Sequence, residues 1–105
     1  MSVVKYTNQL VEAQQSTSAA SLALSASYNR YIFTGSSATT WTMMSILSCI
    51  NQVVTIHNRG SASITLNSNE GEFDFSDLAV AKNQKMILQG ETYAFYNDGT
   101  YFIIH

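Results

Sequence analysis

No proline interrupts this chain of 105 residues, and it has one cysteine, Cys49. Without proline, every tight turn falls to glycine, asparagine, aspartate or serine. A lone thiol excludes an intrachain disulfide and a thiolate-rich structural zinc site. Charge is scarce too. Five basic and seven acidic residues give a net charge of −2, which provides no basic footprint for nucleic acid or for an anionic membrane surface. No apolar run approaches the roughly 20 residues of a membrane-spanning helix, so membrane insertion is not expected. The N-terminus also lacks the apolar core of a signal peptide. Serine, threonine, asparagine and glutamine supply the polarity instead, a neutral surface that suits extracellular or particle-surface work.

What fills the chain after residue 28 is a series of short β-branched and aromatic segments separated by turn residues. The pattern predicts strands over Tyr28–Thr34, Thr39–Met44, Gln52–His57, Ala62–Leu66, Lys85–Gln89, Thr92–Tyr96 and Thr100–Ile104. Two connections carry hairpin chemistry, Asn58-Arg59-Gly60 and Asn97-Asp98-Gly99, where glycine can adopt positive φ. The expected fold is an all-β, small antiparallel β-sandwich of jelly-roll type. Its inner faces would come from Phe33, Trp41, Val54, Ile56, Ile64, Leu66, Leu88, Phe95 and Phe102.

Residues 1–19 read as an N-terminal stub and residues 20–105 as the head. Within the stub, Asn8–Gln15 suits about two helical turns, and positions 20–26 suit an edge strand. Met43–Ile50 fits either one or two helical turns or an irregular segment across the end of the sandwich. Glu72–Phe75 reads as a short strand and Asp77–Ala81 as another short apolar piece. A domain this small buries only about 60–65% of its extended-chain surface. With no disulfide to compensate, oligomerisation is the remaining common source of stability.

No catalytic constellation is present: HExxH, a Walker loop and a GxSxG elbow are all missing. The chain reads as a binding or assembly module rather than an enzyme, with no cofactor. His57 reads as a face-filling or surface residue and Cys49 as a buried small hydrophobe. His105 would ligate a metal only if symmetry gathered copies of it on an axis. The acidic group Glu70, Glu72, Asp74 and Asp77 matches no calcium-loop spacing and reads as a solvated loop. Aromatic rings with polar neighbours are the better candidates for recognition. Tyr28, Tyr31 and Tyr96 are expected to be partly exposed, and Arg59 offers a five-donor fork at a turn tip. Asn58 and Asp98, in the two turns, complete the candidate set.

Three segments together, SLALSASYNRYIFTGSSATTWTM, NQVVTIHNRGSASITLNS and LQGETYAFYNDGTYFII, resemble the small β-structured module of bacteriophage tail fibre and receptor-binding proteins. The matching elements are Phe33-Thr34-Gly35, Thr40-Trp41-Thr42, Ile56 to Gly60 and Asn97 to Tyr101, in that order. Met43-Met44 stands where that family has Leu-Pro, ahead of a segment more apolar than the usual glycine-rich linker. The resemblance implies a homotrimeric head at the distal end of a fibre on the virion, outside the host cell. Its partner would be a host-surface glycan or outer-surface protein. A purely structural capping or trimerisation role is the alternative. In either case the distal loops are expected among Gly35–Thr39, Asn58–Ser61 and Asn97–Gly99.

Overall fold

Local alternation produces the strands, but the order in which they pair is the main feature of the fold. The structure is a computed structural model that describes residues 14–69, 73–75 and 80–104. The first six strands alternate between two facing sheets. In the larger lie β1 (Gln14–Thr17), β3 (Arg30–Phe33) and β5 (Val53–Asn58); in the smaller lie β2 (Ser21–Ala23), β4 (Thr39–Thr42) and β6 (Ile64–Asn67). All neighbouring pairs among these six are parallel. The chain therefore winds three times, each coil giving one strand to each sheet.

The winding then stops. β9 (Gln84–Ile87) runs antiparallel to β6, and β10 (Thr92–Asn97) runs antiparallel to β5. A hairpin joins β10 to β11 (Phe102–Ile104). Beyond it β7 (Phe73–Phe75) and β8 (Val80–Lys82) extend the larger sheet to the order β1-β3-β5-β10-β11-β7-β8. The smaller sheet has the order β2-β4-β6-β9.

The all-β class and the two facing layers match the sequence expectation, whereas the antiparallel jelly-roll-like arrangement does not. Both sheets are mixed. The difference lies at Asn58-Arg59-Gly60, which is a corner carrying the chain from the larger sheet into the smaller. A hairpin and a corner place the same alternation on either side of a turn, so sequence pattern cannot separate them. Gly60 is also required for a reason other than positive φ. A Cβ there would collide with the backbone oxygen of Gly35 in the corner one coil earlier, and would lie 2.9 Å from the Gly35 nitrogen. Gly99, by contrast, has φ +97 in the one true hairpin turn of the pair.

Trp41 occupies the centre of the core. Its ring meets Tyr31 and Phe33 edge to face, at centroid distances of 6.1 and 5.8 Å. Val54, Ile56, Phe95 and Phe102 continue the larger sheet's inner face, opposite Ile64, Leu66 and Ile87. Each such side chain contributes about 1.5–3 kcal/mol by burial. One expected core residue differs: Leu88 is exposed and Ile87 is buried. β9 ends at Ile87, and Leu88 already belongs to the following turn, where its N–H donates to Glu91 Oε1 at 2.8 Å.

Residues 43–52 form an irregular excursion with a single 3-10 turn, Ile46–Ser48, capped by the Ser45 side chain. Met43, Met44, Ile46 and Cys49 turn inward and plug one side of the core. Gln14–Thr17 is a strand of the larger sheet, so Gln14 and Gln15 do not close the helix expected over Asn8–Gln15. Residues 8–13 of the expected helix lie outside the described residues. The edge strand expected at 20–26 is β2, at the margin of the smaller sheet.

Candidate functional site

Coil-on-coil stacking sorts the described connections of the winding to one of two sides. On one side lie the corners at 18–20, 34–38, 59–63 and 88–91. They are tied by Thr34 N–H to Thr17 O, Arg59 N–H to Phe33 O, Ser61 N–H to Gly35 O and Gly90 N–H to Asn58 O. On the opposite side lie 24–29, 43–52 and 97–101, tied by Asn51 N–H to Asn97 O, Asn97 N–H to Gln52 O and Thr55 N–H to Asn29 O. Gly35–Thr39 and Asn58–Ser61 therefore share a side, and Asn97–Gly99 is across the molecule from them.

The six candidate residues divide accordingly. Tyr31 is 1% exposed, which overturns its expected exposure. Its hydroxyl accepts from Ser25 N–H and donates to Ser25 O, both at 2.9 Å. The reason was present in the sequence: Tyr31 and Phe33 are two apart on one strand, so burying one buries the other. Asn58 is buried as well. Its Nδ2 donates to Ala62 O at 2.8 Å and Ile87 O at 3.0 Å, while its Oδ1 accepts from Gly60 N–H at 3.0 Å. Neither side chain is available to a partner.

Arg59 is exposed on the first side. Tyr28, Tyr96 and Asp98 lie on the second. Tyr28 is exposed and leans edge-on against Tyr31 at 5.9 Å. The half-buried Tyr96 pairs across the ladder with Val53 and donates its hydroxyl to Asn51 Oδ1 at 3.2 Å. Asn51 holds a left-handed φ of 67, a conformation asparagine tolerates better than most residues. Asp98 accepts from the N–H groups of Tyr101 and Thr100, both at 2.8 Å. These bonds, Tyr101's first, hold its carboxyl below the usual aspartate range.

Sequence reasoning missed the aliphatic part of this second side. Leu47, Ile50 and Val53 are all exposed, and Ile50 sits beside Gly99, 3.7 Å from where a Cβ would be. The signal was the excursion's unusual apolarity, which serves two ends: Met43, Met44, Ile46 and Cys49 fill the core, and Leu47 and Ile50 face out. His57, on the outer face of the larger sheet, hydrogen-bonds through Nδ1 to Thr92 Oγ1 at 2.8 Å. Cys49 is buried and its Sγ accepts from Asn97 Nδ2 at 3.2 Å. His105, Glu70, Glu72 and Asp77 lie outside the described residues. Compared with known protein families, curated proteins and solved structures, the chain matches none.

Proposed function

We propose that this chain is the host-recognition domain at the tip of a bacteriophage tail fibre, assembled as a homotrimer on the virion. It binds a cell-surface glycan or outer-surface protein through the side that carries Tyr28, Asn51, Tyr96 and Asp98. One observation carries the reading. Two accessible tyrosines, an amide and an ionised carboxylate share one side with exposed Leu47, Ile50 and Val53. Aromatic faces beside polar donors and acceptors suit a sugar ring, and apolar neighbours suit a protein surface. The order of the tail-fibre-like segments supports the same reading.

The test is binding of the purified domain to intact host cells and its competition with the parent particle. Tyr28→Ala and Tyr96→Ala are expected to weaken adsorption, and Arg59→Ala, on the far side, to leave it unchanged. Loss of binding with Arg59→Ala alone would move the site to the opposite corners. A second reading, structural capping or trimerisation without receptor contact, is favoured by β9 and β10, which run antiparallel to β6 and β5 in their separate sheets and end the parallel winding. An assembled trimer that binds no host cell supports that reading.

A further inference from the structure

The parallel winding ends differently at its two extremities. After the third coil, β9 and β10 cover β6 and β5. At the first coil, β1 and β2 are the margins of their sheets among the described residues. Thr34 N–H donates to Thr17 O at 2.9 Å and Thr40 N–H to Ala20 O at 3.0 Å. A parallel ladder alternates the direction of its backbone groups. Ser16 therefore turns its N–H away from β3, and Ser21 and Ala23 turn theirs away from β4. Edges of this kind are normally guarded by charge or proline, and Gln14-Gln15-Ser16-Thr17 and Ser21-Leu22-Ala23 contain neither.

We infer that this end, where no described strand covers β1 or β2, is a self-association surface whose occupant is a second copy of the chain, meeting the first across those two edges. The geometry favours a copy over a single foreign strand. The two edges stand a sheet spacing apart, about 10 Å, and run in opposite directions, so one added strand satisfies only one of them. An identical edge turned over by a two-fold axis along the sheet normal presents both at the matching separation. β1 then meets its counterpart antiparallel, and β2 does the same, which is a self-complementary contact. The side chains at this end suit a contact made mainly by backbone. Gln15 and Thr17 are half-buried and polar, and only Leu22 packs onto the core. Strands this short bury less than the roughly 800 Å² per partner of a standard interface, so association is expected to be weak and concentration-dependent. The inference is independent of the proposed receptor side.

The experiment is sedimentation of the full chain over a concentration series, with backbone amide exchange followed at Ser16 and Ser21. The expected result is a doubling in mass at high concentration of whatever unit, single chain or trimer, sediments at low concentration, with exchange at both amides slowing as it forms. The double variant Ser16→Lys/Ser21→Lys places like charges opposite one another across the axis and should abolish that doubling. Met86→Lys, exposed on the far margin of the smaller sheet, should leave it intact. Unchanged thermal unfolding of the lysine variants shows that folding is retained. Three results overturn the inference: no doubling, with fast exchange at every concentration; slow exchange that does not vary with concentration, meaning the edge is covered within the low-concentration unit; or a doubling indifferent to the lysines. The last leaves the fibre reading standing.

Discussion

Asn58 and Asn97 do the same work at opposite corners of the molecule. Each side-chain oxygen accepts the N–H of the glycine two residues on, Gly60 at 3.0 Å and Gly99 at 2.8 Å. Each amide then reaches into another segment: Asn58 to the carbonyls of Ala62 and Ile87, Asn97 to Ile46 O at 2.8 Å. Replacing either with alanine leaves several buried polar groups unpaired and is expected to cost about 2–4 kcal/mol, measured by denaturant unfolding. Equal stability of variant and parent would show that water substitutes for the amide. Glycines separate in the same way. Gly60→Ala drives a methyl group into the Gly35 backbone, whereas Gly90, at φ +84 with no neighbour within 4 Å, has only a backbone preference to lose. Gly90→Ala is therefore expected to cost about 1 kcal/mol and Gly60→Ala distinctly more. Asp98 adds a pH dependence. Its carboxyl is held low in the folded chain, so its contribution is present above the unfolded aspartate value of about 3.9 and is lost as pH falls through the lower folded value. A thermal melting series should show a steeper acid limb for the parent than for Asp98→Asn.

Strand β9 is the element where residue pattern and burial part company. Met86 and Leu88 alternate with Ile87, and either set can be read as the inner face. Pairing decides it, because Ile87 lies opposite Ile64 while Met86 lies opposite Thr65 on the outer face. Ile87→Ala is expected to cost about 2–5 kcal/mol, and Leu88→Ala to change stability by no more than about 0.5 kcal/mol. The reverse order in unfolding midpoints would mean the strand is shifted by one residue. At β4 the alternation is less ambiguous. Thr39 and Trp41 are buried while Thr40 is exposed, and a large aromatic gains most from the inner face. Trp41→Ala should remove about 3–5 kcal/mol, a large part of the roughly 5–15 kcal/mol expected of a domain. Trp41→Phe should lose less, because the indole N–H has no hydrogen-bond partner.

For the whole molecule, winding direction and sidedness decide which candidate residues share a side. The outer face of the smaller sheet carries a depression of about 440 Å³ lined by Ser21, Leu22, Ala23, Thr40 and Thr42, but the tyrosines and the exposed aliphatics gather elsewhere. The sequence alone located β3 to β6, β10 and β11, placed Phe33, Trp41, Val54, Ile56, Ile64 and Leu66 on inner faces, and marked both Asn-X-Gly triplets as places where the chain reverses. These depend on a two-residue alternation and on backbone preferences that act over a few neighbours. Tertiary structure alone decided that Asn58-Arg59-Gly60 crosses between sheets while Asn97-Asp98-Gly99 closes a hairpin. It also decided that Asn58 is interior and that Arg59 lies across the molecule from Tyr28, Tyr96 and Asp98. The physical reason is the separation of the partners. Arg30 pairs with Gln14 on one flank and with Thr55 on the other, and no local preference specifies which distant strand lies alongside or in which direction it runs.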